Sequence, residues 1–353
     1  MGGVDSGEDS TLAPEEAFAV LGNEVRIDIL RALADAAEPL SFSGLFDRVE
    51  YDTASNFSYH LDRLTDHFVR KTDNGYELTR AGERVVEAVL SGAVTEAPVI
   101  ERTAVDQACH FCDAPVEVRY YQERLERFCT ECPGMWGSQD RGFLGSLALP
   151  PAGLQGRSVD EVTRAAWTWQ NLNLFAIGAG LCPRCSTPLR RELDLCTSHD
   201  VRDSGDLELC GECGNRYAAR LEFSCPTCNY DGRGTLPLAF NTDTALLSFL
   251  TARGRNPLSR DSIADVHRVL SDYEEEVLST DPFLGRLTFT ADGDALALTV
   301  NGDLEVVDTA LTQGHETDGE GQRATDEQRA GDEQRAGDEQ RSTKPPRRQN
   351  LEY

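Results

Sequence analysis

Eleven cysteines and one histidine in this chain fall into six close pairs: Cys109/Cys112, Cys129/Cys132, Cys182/Cys185, Cys196/His199, Cys210/Cys213 and Cys225/Cys228. Two thiolates separated by two residues can grip one cation at a tight turn, and tetrahedral Zn2+ takes four such sulfur or nitrogen ligands. Taken in chain order, the pairs predict three Zn2+ sites. The first is Cys109, Cys112, Cys129 and Cys132. The second is Cys182, Cys185, Cys196 and His199. The third is Cys210, Cys213, Cys225 and Cys228. The middle set stays open: Cys196 could be a small buried apolar residue and His199 a loop residue. Cys182/Cys185 would then join Cys210/Cys213 and leave Cys225/Cys228 alone. Three sites are preferred because no knuckle is then orphaned.

Each set fills four positions with soft ligands, which leaves no open coordination position for catalysis. The chain has no H-E-x-x-H, no H-x-E combined with P-C-x-x-C, no phosphate-binding Gly loop and no G-x-S-x-G elbow. The expectation is structural zinc and no enzyme, since ribbons this small have too little core to fold without metal. Trp136, Trp167 and Trp169 lie near the ribbons and could stack on a ligand. Packing of a linking helix against the ribbons is the plainer expectation.

The elements that must position these ligands can be traced along the chain. Residues 1–10 are expected to be disordered. Residues 11–96 alternate helical patterns with short breaks and contain no cysteine. Residues 97–150 form a first ribbon, in which Val116, Val118 and Tyr120 alternate on one side of a hairpin. A linking helix covers 151–180, with Val159, Val162, Ala166, Trp169, Leu172 and Ala176 at helical spacing. Residues 181–234 form ribbons two and three, with Tyr217, Ala219 and Leu221 alternating. Residues 235–311 give two helices and a β-meander around Asp292-Gly293-Asp294 and Asn301-Gly302-Asp303. The second helix is expected over 260–278, with Ile263, Val266, Val269, Leu270, Tyr273 and Val277 as core. Residues 312–353 are a polar tail in which DEQRAGD recurs; it has no large apolar position and reads as disordered. Gly145–Leu149 and Gly234–Leu238, each between a ribbon and a helix, hint at a duplicated unit. The fold class is α+β.

The charge balance bounds the setting. Acidic residues number 61 against 34 basic ones, for a net charge of −27. Lys71 and Lys344 are the only lysines. An acid-rich, lysine-poor chain suits a salt-rich cytoplasm, where carboxylates hold water and cations and screening relaxes self-repulsion. No run approaches the length of a membrane span, and the first residues lack a signal-peptide pattern. A cytoplasmic location is expected, and in a reducing compartment C-x2-C points to metal rather than to disulfides.

Residues 11–96 read as helices from Pro14, Glu24 (capped by Asn23), Ser41 and Thr53. Phe57, Leu61 and Leu64 turn inward. A hairpin turns at Asp73-Asn74-Gly75, and a last helix stops at Gly92. VLGNEVRIDILRAL, SNFSYHLDRL and NGYELTRAGERVV resemble the ArsR-type winged helix-turn-helix of many haloarchaeal regulators. The resemblance covers about a quarter of the chain. It implies a winged helix-turn-helix, which the zinc-ribbon modules read from the cysteine spacing and a small α/β segment would follow. It also implies a recognition helix from Thr53 to Asp66 in the major groove, with the hairpin as wing. Ser55, Asn56, Ser58, Tyr59 and His60 would meet bases or backbone, and Arg63, Arg70 and Lys71 would serve phosphates. The implied partners are double-stranded DNA and a second copy of the chain; a protein of the transcription machinery is the partner expected on the adaptor reading. Two departures stand out: the segment is acidic, and it has no cysteine for a thiolate metal sensor of its own. The rival readings are a zinc-ribbon adaptor that binds protein without DNA, and a thiol/zinc redox sensor.

Overall fold

In the computed structural model, residues 12–200, 208–259 and 263–314 are described here; the expected N-terminal disorder and most of the acidic repeat tail lie outside them. Residues 12–96 form helices α1 (Pro14–Leu21), α2 (Glu24–Ala34), α3 (Phe42–Val49) and α4 (Ala54–Leu64), the hairpin β1 (Val69–Thr72) with β2 (Gly75–Leu78), and helix α5 (Arg80–Leu90). Hydroxyl caps start two of them: Ser41 accepts from the Gly44 N–H at 3.1 Å and Thr79 from the Gly82 N–H at 3.2 Å. Asn23 holds the cap position of α2, but its side chain makes no capping bond. The apolar stripes converge on Ile29, Leu30, Leu45, Phe57, Leu61 and Leu64, with Phe57 edge-on to Phe42 and Phe46. Leu40 and Tyr76 exchange backbone hydrogen bonds of 3.0 and 2.8 Å, which ties the α2–α3 connection to the hairpin. Gly75 allows that approach, because its φ is +135° and a Cβ there would lie 2.4 Å from the Leu40 carbonyl oxygen.

The next sheet is antiparallel in the order β3 (Ile100–Ala108), β4 (Pro115–Tyr121), β5 (Arg124–Cys129) and β6 (Phe143–Ala148). Strand β3 was not expected from the sequence, where its alternation is masked by polar residues on the open face. Val116, Val118 and Tyr120 are fully buried, as their alternation predicts. A 3-10 turn at Pro151–Leu154 leads to α6 (Val159–Gly178), begun by a capping box between Ser158 and Glu161.

The buried stripe of α6 differs from the expected one. It carries Val162, Thr163, Ala166, Trp167, Asn171 and Ile177, whereas Trp169 and Leu172 are exposed. The apolar spacing pointed to a face rotated from the true one, because Thr163 and Asn171 go inside with their polar groups bonded: the Thr163 hydroxyl donates to the Val159 carbonyl, and the Asn171 amide donates to that of Pro257.

A second antiparallel sheet has the order β7 (Arg190–Leu195), β8 (Ala219–Ser224), β9 (Asp231–Thr235). Another 3-10 turn, Leu236–Phe240, and helix α7 (Thr244–Ala252) follow. The succession hairpin, third strand, 3-10 turn, helix thus occurs twice. Helix α8 (Ile263–Ser271) is shorter than the expected 260–278, since Glu274–Thr280 is strand β10. Residues from Glu274 on pair instead with β11 (Phe283–Ala291), and β12 (Asp294–Asn301) and β13 (Val306–Thr312) complete the meander. Val266, Val269 and Tyr273 are buried in one core with β8 and β11–β12.

Candidate metal centres

Three clusters of four ligands come together: Cys109, Cys112, Cys129, Cys132; Cys182, Cys185, Cys225, Cys228; and Cys196, His199, Cys210, Cys213. Within each, the ligand atoms all lie within 4.8 Å of one another. Zn–S bonds of about 2.3 Å in a tetrahedron put sulfurs about 3.8 Å apart. The observed separations are 3.8 Å for Cys109–Cys132, 3.4 Å for Cys112–Cys129, 3.6 Å for Cys182–Cys228 and 3.5 Å for Cys185–Cys225. The donor sets fit Zn2+, and all twelve predicted ligands take part.

The first site forms as expected, but the other two correct the pairing by chain order. Cys182/Cys185 share a site with Cys225/Cys228, and that site encloses the one made by Cys196/His199 and Cys210/Cys213. The reason is the hairpin β7–β8, registered Arg190↔Ser224 at one end and Leu195↔Ala219 at the other. Residues just before β7 and just after β8 meet at the first end; those just after β7 and just before β8 meet at the second. The pairs Cys210/Cys213 and Cys225/Cys228 flank one strand of six residues, so they sit about 20 Å apart at 3.3 Å per residue. They cannot share an ion. Residues 181–234 therefore hold one ribbon with an ion site at each end.

Four knuckles are built alike. The first Cys of each donates its backbone N–H to the carbonyl five residues on: Cys109 to Ala114 at 2.8 Å, Cys182 to Thr187 at 2.9 Å, Cys210 to Asn215 at 3.0 Å and Cys225 to Tyr230 at 2.7 Å. The residue after the second Cys is left-handed in all four: Asp113, Ser186, Gly214 and Asn229. Backbone N–H groups also point at sulfur, among them Phe111 to Cys109 and Thr227 to Cys225, both at 3.4 Å. Such bonds favour the thiolate that a metal requires. Cys129/Cys132 is built differently: its turn leans on Gly142, where φ is +86° and a Cβ would come within 2.2 Å of the Cys129 carbonyl oxygen.

His199 completes the inner site in a defined tautomer. Its Nε2 lies 3.1 Å from the Arg216 carbonyl oxygen, which can only accept, so Nε2 carries the hydrogen. Nδ1 then presents its lone pair 3.5 Å from the Cys213 sulfur. A second partner that fixes ring and tautomer is the usual support of a histidine ligand. Two sites also touch through their loops. Gly137 N–H donates to the Gly214 carbonyl at 2.7 Å, and Arg216 N–H to that of Met135 at 3.1 Å.

The residues named for DNA contact sit on α4 and the hairpin. Ser55, Asn56, Tyr59 and Arg63 are exposed along one side of α4. Ser58 is half-buried and its hydroxyl lies 3.5 Å from the Asp62 carboxylate. His60 is half-buried beside Tyr51, and burial with the charge of Arg26 holds its pKa below the ordinary value. Arg70 is exposed but bonded across the hairpin to Glu77 at 2.6 Å. Lys71 is exposed and lies over the Tyr76 ring.

Residues 106–306 match the family model described as a domain of unknown function, DUF7351. The chain belongs to this family. Residues 14–89 match a second model, a domain of unknown function, DUF7347. No curated protein and no solved structure matches the chain. The DUF7351 segment contains every metal ligand, from Cys109 to Cys228, together with the loops that join the sites. The DUF7347 segment is the helical part from α1 to α5. Among the described residues no helix is long and apolar enough to cross a membrane. Sequence reading missed Arg127 and Arg216, both buried. For Arg127 the signal was its inward register on β5, two residues before Cys129; Arg216 lies in a bend and carries no such register.

Proposed function

We propose that this protein is a DNA-binding transcriptional regulator: α3 and α4 act as a helix-turn-helix, the β1–β2 hairpin as its wing, and the zinc modules as an effector or partner body. The observation that carries the reading is the open face of α4. Ser55, Asn56, Tyr59 and Arg63 follow one another along it at helical spacing, backed by the buried Phe57, Leu61 and Leu64. Asparagine can pair two-fold with adenine, and the tyrosine and arginine can reach bases or phosphates. The ArsR-type resemblance supports the same assignment, along with a homodimer on a two-fold site and a cytoplasmic, salt-rich setting. His60 and Ser58 act on this reading as supports of the helix rather than as contacts.

The acidic surface argues that counterion release contributes little, so hydrogen bonding and shape must carry more of the affinity. The test is binding of full-length, zinc-loaded protein to genomic DNA fragments in about 2–3 M KCl, where screening is nearly complete. Specific binding lost in Asn56→Ala/Tyr59→Ala but kept in His60→Ala supports the reading.

A second reading is a protein-binding adaptor for the transcription machinery. The engagement of Arg70 by Glu77 and the exposed Asp62 on α4 favour it. Absence of DNA binding by the folded, zinc-loaded protein selects it.

A further inference from the structure

Between the two metal-bearing sheets lies a cleft of about 950 Å3, bordered by β5, β6, α6, β8, β9, α7 and α8. That volume is at the upper end of small-ligand pockets. Its lining is mixed, with the buried Leu144, Leu147, Leu246 and Leu250 forming an apolar wall among polar and charged neighbours. One charge sits in that apolar wall. Arg127 projects from β5, is 6% exposed, and places its guanidinium 4.4 Å over the Trp167 ring. Trp167 in turn lies 3.8 Å from the His267 ring.

Among the described residues Arg127 has no carboxylate partner, and its Nε has no acceptor. The adjacent Glu126, which also borders the cleft, is held by Arg119 at 2.6 Å. Trp167 Nε1, His267 Nε2 and Asn241 Oδ1 are likewise buried without partners, and all three residues line the same cleft. Buried polar groups are ordinarily bonded, and a lone buried charge is among the costliest things a fold can carry. Four unmatched groups around one cavity are the mark of a site built for something that bonds them.

We infer that this cleft binds a small organic carboxylate with an apolar body: the carboxylate seats on the Arg127 guanidinium beside His267, and the body lies against the leucine wall. The planar guanidinium fork matches a carboxylate in two parallel bonds, and stacking on Trp167 sets the plane of that fork. The exposed charges at the rim, among them Arg184, Arg190, Glu192 and Glu222, are mixed in sign and leave the choice of ligand to the interior. The inference does not depend on DNA binding by α4. It competes with one other use of Arg127, as countercharge to the thiolates of the first metal site, since Cys129 is two residues away.

Titration of the full-length, zinc-loaded protein with octanoate and phenylacetate, and with the uncharged 1-octanol and 2-phenylethanol, decides between these. Tryptophan fluorescence and Tm are the readouts, at fixed ionic strength. The expected result is a saturable response to the carboxylates and at least tenfold weaker binding of the alcohols. Arg127→Met should abolish the carboxylate response, keep all three zinc ions and raise the ligand-free Tm, because it removes an uncompensated charge. Arg127→Lys keeps a charge but loses the fork and should bind at least tenfold more weakly. Equal response to acids and alcohols, no response to either acid, or loss of zinc in Arg127→Met with Arg127→Lys unimpaired would each overturn the proposal.

Discussion

His199 is held on both sides, by the Arg216 carbonyl at Nε2 and by the cluster of Cys196, Cys210 and Cys213 at Nδ1. His199→Ala should therefore lower bound zinc from three ions per chain to two, measured by elemental analysis after gel filtration. His199→Cys, which supplies another soft ligand, should restore the third. Gly142→Ala makes a different local prediction. Its Cβ would meet the Cys129 carbonyl at 2.2 Å in a left-handed backbone, so the turn beneath the first site must shift. A loss of several °C in Tm and faster zinc release to a chelator are expected, with the other two sites unaffected. At this scale the sequence was informative: ligand identity was readable because C-x2-C spacing is itself the chemistry. Arg127 and Arg216 were not readable, because their roles depend on strands and loops that only the folded chain brings together.

At the scale of elements, the β7–β8 hairpin decides which ligands meet. Cys182→Ser and Cys225→Ser should each remove the same ion, and the double variant should lose no more than either alone. Cys213→Ser with Cys225→Ser should lose two ions; pairing by chain order would have them share one. That order failed because the eleven residues between Cys213 and Cys225 contain a single strand, and its hairpin partner, β7, lies upstream. Strand β10 adds a pH dependence. Glu275 is half-buried and accepts the N–H groups of Ala218 at 2.5 Å and Ala219 at 3.2 Å, and desolvation of its carboxyl pushes it up to about 7. The folded chain then holds a proton that the unfolded chain gives up nearer 4.5. Stability from this group is present below the unfolded value and falls as pH rises toward 7, by at most about 1.4 kcal/mol per pH unit. Between pH 5 and 7 the wild-type Tm should decline more steeply than that of Glu275→Gln, and above that range the two should run parallel; parallel slopes throughout would show that the group does not titrate there.

Across the whole molecule, the helical core of α1–α5 is separate from the cores around the metal sites. Chelation should collapse the second part and spare the first. The expected observation is loss of near-ultraviolet tryptophan signal, with retention of helical far-ultraviolet signal and of a protease-resistant fragment ending near residue 96. The α1–α5 pattern was legible because its helices are short and amphipathic, with hydroxyl caps at the starts of α3 and α5. The face of α6 was not, because a helix packed between the β3–β6 sheet and α8 buries polar groups that carbonyls satisfy. The enclosed order of the ribbon ligands has one more consequence, which concerns synthesis rather than the finished fold. Cys182, Cys185, Cys196 and His199 leave the ribosome before Cys210 does, so the first complete quartet that this second ribbon offers to a metal ion is a non-native one. Correct loading then requires ligand exchange once β8 has zipped onto β7, and zinc supplied late in translation should give a higher yield of native protein than zinc supplied throughout.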